Sequence, residues 1–466
     1  MKNWLGYLDS KVLVFLLIPL SLVIVIIGIF AEFYATTQFI AIMASFLMVI
    51  ILLSNMVLGK NTLVNPLVIF SLMYSGYVFG AFYYAFSAGD YGKFLSYLNL
   101  NIFEVERYFF YALSYAIICF VFFVLGFSVF YRNKDVTFSV ELNKNYFFLD
   151  LYKPVCLLLI SVGLLYWVWM SYTLAGGIVP MLFYFQAFRH LIEDAQLSTL
   201  PYHLYYAGIF LWLIASVVKY NKVSFFFIFF SFLGLVIGLS TGRITLAFTY
   251  LMSQMIFYYF CLPNKRKKIM IMLFALMCSG FIVYFLRILS NQYFMGVDLD
   301  LSDKNYLGTI IGDGNITDLQ QLVIVFKTFD SSNMLLGESY LDSFRNTIGA
   351  QFGLEPHSIG LLIKELYIPS TSGAPTPGAI GEAYANFLFL GPAVIFCVGG
   401  FFSYIYMKVL DSNSPIIIMV YSIFLARFVF MYPKVDSTMM VNFLWGAIPL
   451  ILVWYLLRLT FCLIKK

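Results

Sequence analysis

The chain has 466 residues, 62% of them hydrophobic and 11% charged, with a net charge of +5. So little polar surface excludes a soluble globular domain and leaves an integral membrane protein. Near-continuous apolar runs of about 20 residues suit helices that cross a hydrocarbon core, and the strict alternation of a membrane β-barrel is absent.

In chain order the hydropathy pattern predicts about twelve transmembrane helices, at 12–31, 37–58, 63–86, 108–130, 152–174, 201–218, 223–240, 243–262, 269–289, 379–407, 415–432 and 441–462. No small-residue cleavage site follows the first run before Glu32, so it reads as a retained helix and not a signal peptide. Alternating sides along the chain places 17 of the 28 basic residues on one face, against 5 of the 23 acids. The positive-inside rule makes that face the cytoplasm and gives an N-in, C-in topology. Transmembrane helices 1–9 then occupy 1–289, one large external loop with short helices on the membrane face occupies 290–377, and helices 10–12 occupy 378–466. Within the loop, 310–328 and 332–365 have the spacing of partial helices.

The cytoplasmic loops are short and basic, and 265–268 reads as an orientation signal and lipid-headgroup contact. There is no phosphate-loop motif and no dinucleotide fingerprint, so neither a nucleotide substrate nor nucleic acid is an expected partner. The six cysteines fall inside spans or at their ends, which indicates no disulfide framework. His190, His203 and His357 are all placed outside without ligand spacing, so no metal and no cofactor is expected.

Chemistry is carried by residues on the outer side. Arg243 lies in the turn Ser240-Thr-Gly-Arg between two apolar runs, where a guanidinium is costly near lipid and suited to phosphate. Gly234, Gly238 and Gly242 climb the preceding helix at four-residue spacing, a pattern that lets another helix approach. In the external loop 175–200, helical spacing would put Gln186, Arg189, His190 and Glu193 on one face. Farther on, Thr376 and Pro377 predict an N-cap and a first helical position, opening a helix whose free N–H groups would attract an anion. From Pro377 to Lys408 the helical pattern is longer than a span needs, so a half-helix is expected before the crossing. Glu382 and Asn386 share a face of it. Arg427 lies inside the eleventh span, with an ion pair to Asp436 or Glu382 as its structural alternative to substrate binding. Arg345 and His357 belong to the long loop, and because an unperturbed histidine titrates near neutral pH His357 reads as a general base or a phosphate contact. Tyr202, Tyr205, Tyr206, Tyr340, Tyr367, Tyr384 and Tyr432 read mostly as an interfacial aromatic belt, with stacking on sugar rings as the alternative.

Together, Ser240-Thr-Gly-Arg-Ile-Thr-Leu-Ala-Phe at the start of a span, the long late loop, and Pro375-Thr-Pro-Gly-Ala-Ile-Gly-Glu-Ala-Tyr-Ala-Asn-Phe resemble the Wzy family of O-antigen and oligosaccharide repeat-unit polymerases. The resemblance implies a GT-C-like glycosyltransferase facing the periplasm from the bacterial inner membrane. Its substrates would be undecaprenyl-pyrophosphate-linked oligosaccharides, its setting the lipid bilayer, and a further partner a Wzz-like chain-length regulator. Arg243 matches the family's turn arginine and Glu382 its Gly-Glu position. Some members carry an arginine followed eleven residues later by glycine in each of two external loops, whereas Arg189 and Arg345 are followed by Leu200 and Pro356. The expected site is Glu382 and His357 as candidate bases, with Arg243, Arg345, Arg427, Arg189, Thr376, Tyr384 and Asn386 binding substrate or pyrophosphate. An O-antigen ligase, or a flippase or transporter of lipid-linked oligosaccharide, are the alternative readings.

Overall fold

The structure is a computed structural model. It describes residues 19, 37–58, 64–86, 100–132, 149, 152–183, 200–220, 224–240, 244–262, 265–273, 275–276, 319–349, 358–367, 376–412 and 414–464. Among the described residues all regular structure is helical, and seven helices are long and apolar enough to cross a membrane. The chain is therefore an all-helical protein with the makings of several membrane crossings. All of the first predicted span but residue 19, and most of the ninth, lie outside the described residues.

Two compact units are formed from interleaved stretches, the first from 1–135, 305–408 and 429–441, the second from 136–304, 409–428 and 442–466. The first holds α1 (Thr37–Leu58), α2 (Pro66–Phe86) and α3 (Ile102–Phe130). The Asn101 side chain accepts from the Glu104 N–H at 2.9 Å and Glu104 returns the bond, so a capping box starts α3 after an extended residue. Phe70 of α2 stacks on Phe123 of α3 with ring centroids 3.9 Å apart. Large rings also need close helix approaches: Gly126 of α3 faces the Phe396 carbonyl and Gly399 faces the Phe123 carbonyl, so a methyl at either glycine would push backbone away from backbone.

The second unit holds α4 (Tyr152–Ala175), α5 (Ile178–Phe183), α6 (Leu200–Tyr220), α7 (Phe225–Ser240) and α8 (Ile244–Cys261). α6 packs along α4, and α7 along α8. α7 has only 16 residues, about 24 Å at 1.5 Å per residue, which is shorter than a typical hydrocarbon core. Gly234 and Gly238 do pack neighbours closely: added methyls would meet Tyr205 and Tyr250 at the first and Ala247 and Tyr206 at the second. The Trp167 indole donates to Ser240 Oγ at 2.9 Å, tying the last residue of α7 to α4.

The long loop contributes α9 (Leu319–Thr328), α10 (Glu338–Gly349) and α11 (Ile359–Tyr367) to the first unit, the short helices expected within 310–328 and 332–365. The half-helix expected before the 379–407 crossing is present as α12 (Gly378–Phe387), followed by a 3-10 turn at Leu388–Leu390 and α13 (Gly391–Leu410). α14 (Pro415–Phe424) passes into a five-residue π-helix, Leu425–Val429, before the turn that leads to α15 (Thr438–Ile464).

Candidate functional site

α12 is a ten-residue helix of small side chains, Gly-Ala-Ile-Gly-Glu-Ala-Tyr-Ala-Asn-Phe, and nine of its residues are buried. Small residues allow neighbours to close in from all sides, and α9 and α10 both pack on it. Glu382 at its centre is 1% exposed. A carboxylate held away from water needs donors, and three reach it. Ser339 Oγ of α10 donates to Oε1 at 3.0 Å, Ser437 Oγ donates to Oε1 at 2.7 Å, and the Ser437 N–H donates to Oε2 at 2.8 Å. Ser343, one turn beyond Ser339, places its Oγ 2.6 Å from that of Ser437.

Asn386, four residues after Glu382, completes the seam. Its amide donates to the Glu382 carbonyl and to Ser339 Oγ, each at 2.7 Å, and its Oδ1 accepts from the Gly337 N–H at 2.9 Å. Just beyond, Leu388 has φ of +49, a sparsely populated conformation that strains a residue with a Cβ by about 1–3 kcal/mol. The carbonyls of Ala385 and Asn386 would otherwise lose their helical partners here. Leu335 and Leu336 donate to them at 2.9 and 3.1 Å, so the segment ahead of α10 caps the C-terminal end of α12.

The other end departs from the sequence expectation. Thr376 is not the N-cap: Pro377 takes that position, no side chain caps the helix, and Gly378 follows with φ of +68. The Ala379 N–H donates to the Tyr432 carbonyl at 3.2 Å. A side chain at Gly378 would strike the Pro433 carbonyl and the Tyr77 hydroxyl, which itself donates to Pro433 at 3.1 Å. The positive φ and the crowding both require glycine, and the turn at 430–434 covers the helix start that was expected to meet an anion.

The tyrosine expectation is corrected in the same way. Tyr202, Tyr205, Tyr206, Tyr384 and Tyr432 are buried and pack against protein instead of forming an exposed belt. The Tyr384 ring stacks on Phe326 at 3.9 Å and meets Tyr115 and Phe389 edge-on, so protein rings occupy the contacts proposed for sugars. Arg345 is exposed on α10, 3.9 Å from Asp342 one turn earlier. Asp436 is buried, and its Oδ1 accepts from the Thr438 N–H at 3.0 Å and from the Thr438 hydroxyl, which caps α15. Burial raises its pKa above the usual carboxylate value, and the Thr438 bonds oppose that rise.

Arg427 sits in the π-helix of the second unit and is 3% exposed. Its guanidinium carbon lies 5.9 Å from the Tyr206 ring centroid, and its Nη1 would be 2.6 Å from a methyl placed on Gly446. Nearby on the same two helices, His203 of α6 stacks on Trp445 at 6.3 Å. Arg243, Arg189 and His357 lie outside the described residues. Sequence reasoning identified Glu382 and Asn386 but missed Ser339, Ser343 and Ser437. The usable signal was a pair of serines four apart on a helix whose leucine and phenylalanine fall on the other side.

Comparison with protein-family models, curated proteins and solved structures finds no match to this chain.

Proposed function

We propose that the chain is a polymerase that joins undecaprenyl-pyrophosphate-linked oligosaccharide repeat units at the periplasmic face of a bacterial inner membrane. The observation that carries this reading is the Gly-Glu helix α12, the segment with the polymerase-like motif, buried around one carboxylate that binds the external-loop helix α10 to the 430–437 turn. A polar seam of this kind is expensive in a protein made largely of apolar helices, which favours a functional reason for it. The Arg243 turn, the basic cytoplasmic loops and the absence of a nucleotide motif support the same reading, in a GT-C-like frame of about twelve spans with both termini inside.

In the proposed reaction a sugar hydroxyl of one lipid-linked unit attacks the anomeric carbon of the growing chain. A bond forms between that oxygen and carbon, the carbon–oxygen bond to pyrophosphate breaks, and undecaprenyl pyrophosphate leaves with the electron pair. Arginine forks suit the charge that gathers on the leaving group, and Arg243 is assigned that role first, with Arg189 as a further anion contact. Glu382 has both oxygens on protein donors, so its proposed part is positioning. Accepting the hydroxyl proton then falls to His357.

The test is a gel of surface polysaccharide from cells lacking the gene, complemented with wild type or with Arg243→Ala. Collapse of the ladder to core plus one unit in the deletion, restored by wild type and not by a normally inserted Arg243→Ala, is expected. Loss of the single-unit band as well would point to a ligase or flippase, and an unchanged ladder would remove the proposal.

A further inference from the structure

The helix α10 turns serines inward and carries large apolar side chains outward, between the exposed charges of Glu338 in its first turn and Arg345 farther along. Ser339 and Ser343 are turned inward to Glu382, Ser437 and Asn386. On the outside, Leu341 is 72% exposed and Phe344 43%, and Leu336 just before the helix is also exposed. A loop helix facing water has the opposite arrangement. The outer face of α10 therefore matches an apolar medium.

Its position supplies the medium. Leu336 is hydrogen-bonded to Asn386, and Gly337 lies against Phe387. The next residues, Phe389 and Leu390, are highly exposed and fall within the candidate span Gly378–Leu410. The apolar face of α10 is thus continuous with the lipid-facing surface of a spanning segment. Arg345 stands exposed beside Phe344 on the same helix, placed to reach lipid phosphate while Phe344 stays among acyl chains.

We infer that α10 is an interfacial helix whose face Leu336, Leu341 and Phe344 lies in the outer boundary of the bilayer, with Arg345 on lipid phosphate. Because Ser339 and Gly337 join it to Glu382 and Asn386, the membrane surface then fixes the depth of α12. The inference depends on the membrane-spanning character of the chain and not on polymerase activity.

The test places an environment-sensitive fluorophore at Leu341→Cys, in protein whose exposed Cys397 and Cys462 are serine, reconstituted in phosphatidylcholine–phosphatidylglycerol vesicles. Unsubstituted protein labelled in parallel supplies the background. Ser332→Cys, in the exposed polar turn 330–333, is the water-facing control. Brominated lipid chains should quench the Leu341 label several-fold more than the control, and iodide should do the reverse. Equal iodide quenching at both sites would overturn the inference. Shielding of Leu341 from both quenchers would overturn it too, by showing a second protein surface there. Phe344→Cys gives the same readout should Leu341→Cys fail to insert. Arg345→Glu should reduce the lipid quenching at Leu341, and an unchanged value would overturn the phosphate contact.

Discussion

Glu382 and Arg427 are both buried in apolar helical surroundings, one in each unit, and they are accommodated in different ways. Glu382 presents two compact oxygens, and the fold brings an N–H and two hydroxyls to them. Arg427 spreads its charge over a plane, and the fold gives it the face of Tyr206 and the bare backbone of Gly446. A carboxyl group in low dielectric has to be matched by donors, here drawn from distant segments, whereas a planar guanidinium can also use the face of a ring. Glu382 therefore organises structure around itself, and Arg427 is fitted between helices.

Replacing each by methionine separates the two cases most strongly. Glu382→Met leaves the Ser437 N–H and two hydroxyls without their acceptor and should lower stability by about 3 kcal/mol, read as thermal unfolding in detergent. Arg427→Met exchanges a charge for a flexible apolar chain and should change stability by only about 1 kcal/mol. Equal losses would end the contrast. Gly446→Ala should cost about 1 kcal/mol in the wild type and less when combined with Arg427→Met, since the methyl would meet the guanidinium at 2.6 Å before Ile423 Cγ2 at 3.2 Å; an undiminished cost in the double variant would place the constraint elsewhere. Ser343→Ala removes one end of the Ser343–Ser437 contact and should cost about 1 kcal/mol, with Ser343→Thr recovering part of it.

The smallest expected effect is in pH dependence. Burial raises the Asp436 pKa above its ordinary value of 3.8. In the window above that value the folded protein keeps a proton that the unfolded chain releases. Stability therefore falls as pH rises through the raised pKa. Asp436→Asn should flatten this part of the unfolding profile, and a slope that survives the substitution would assign it to another group.

The helices of the spans were legible because a long apolar run has few other ways to satisfy its backbone. The half-helix ahead of the 379–407 crossing was legible from the excess length of the pattern, and Gly391-Pro392 marks where the second piece begins. Where the first piece ends was not legible: that rests on Leu335 and Leu336 donating to the Ala385 and Asn386 carbonyls from far earlier in the chain. The π-helix around Arg427 carries no proline or glycine to announce it. In the site, Glu382 and Asn386 could be paired from their four-residue spacing, and the Asn386 amide does bond to the Glu382 carbonyl. Ser339 and Ser437 reach the same carboxylate across sequence separations of 43 and 55 residues, which local periodicity does not encode. Thr376 misled because a threonine before proline has the look of a cap, while the incoming 430–434 turn decides how α12 begins.

The most direct test of the central proposal is reconstitution. Purified wild-type protein in proteoliposomes, supplied with a lipid-linked single repeat unit, should convert it to lipid-linked oligomers with release of undecaprenyl pyrophosphate and no added nucleotide, and folded Glu382→Gln should do so much more slowly. Recovery of the single unit unchanged with well-folded wild-type protein would contradict the account.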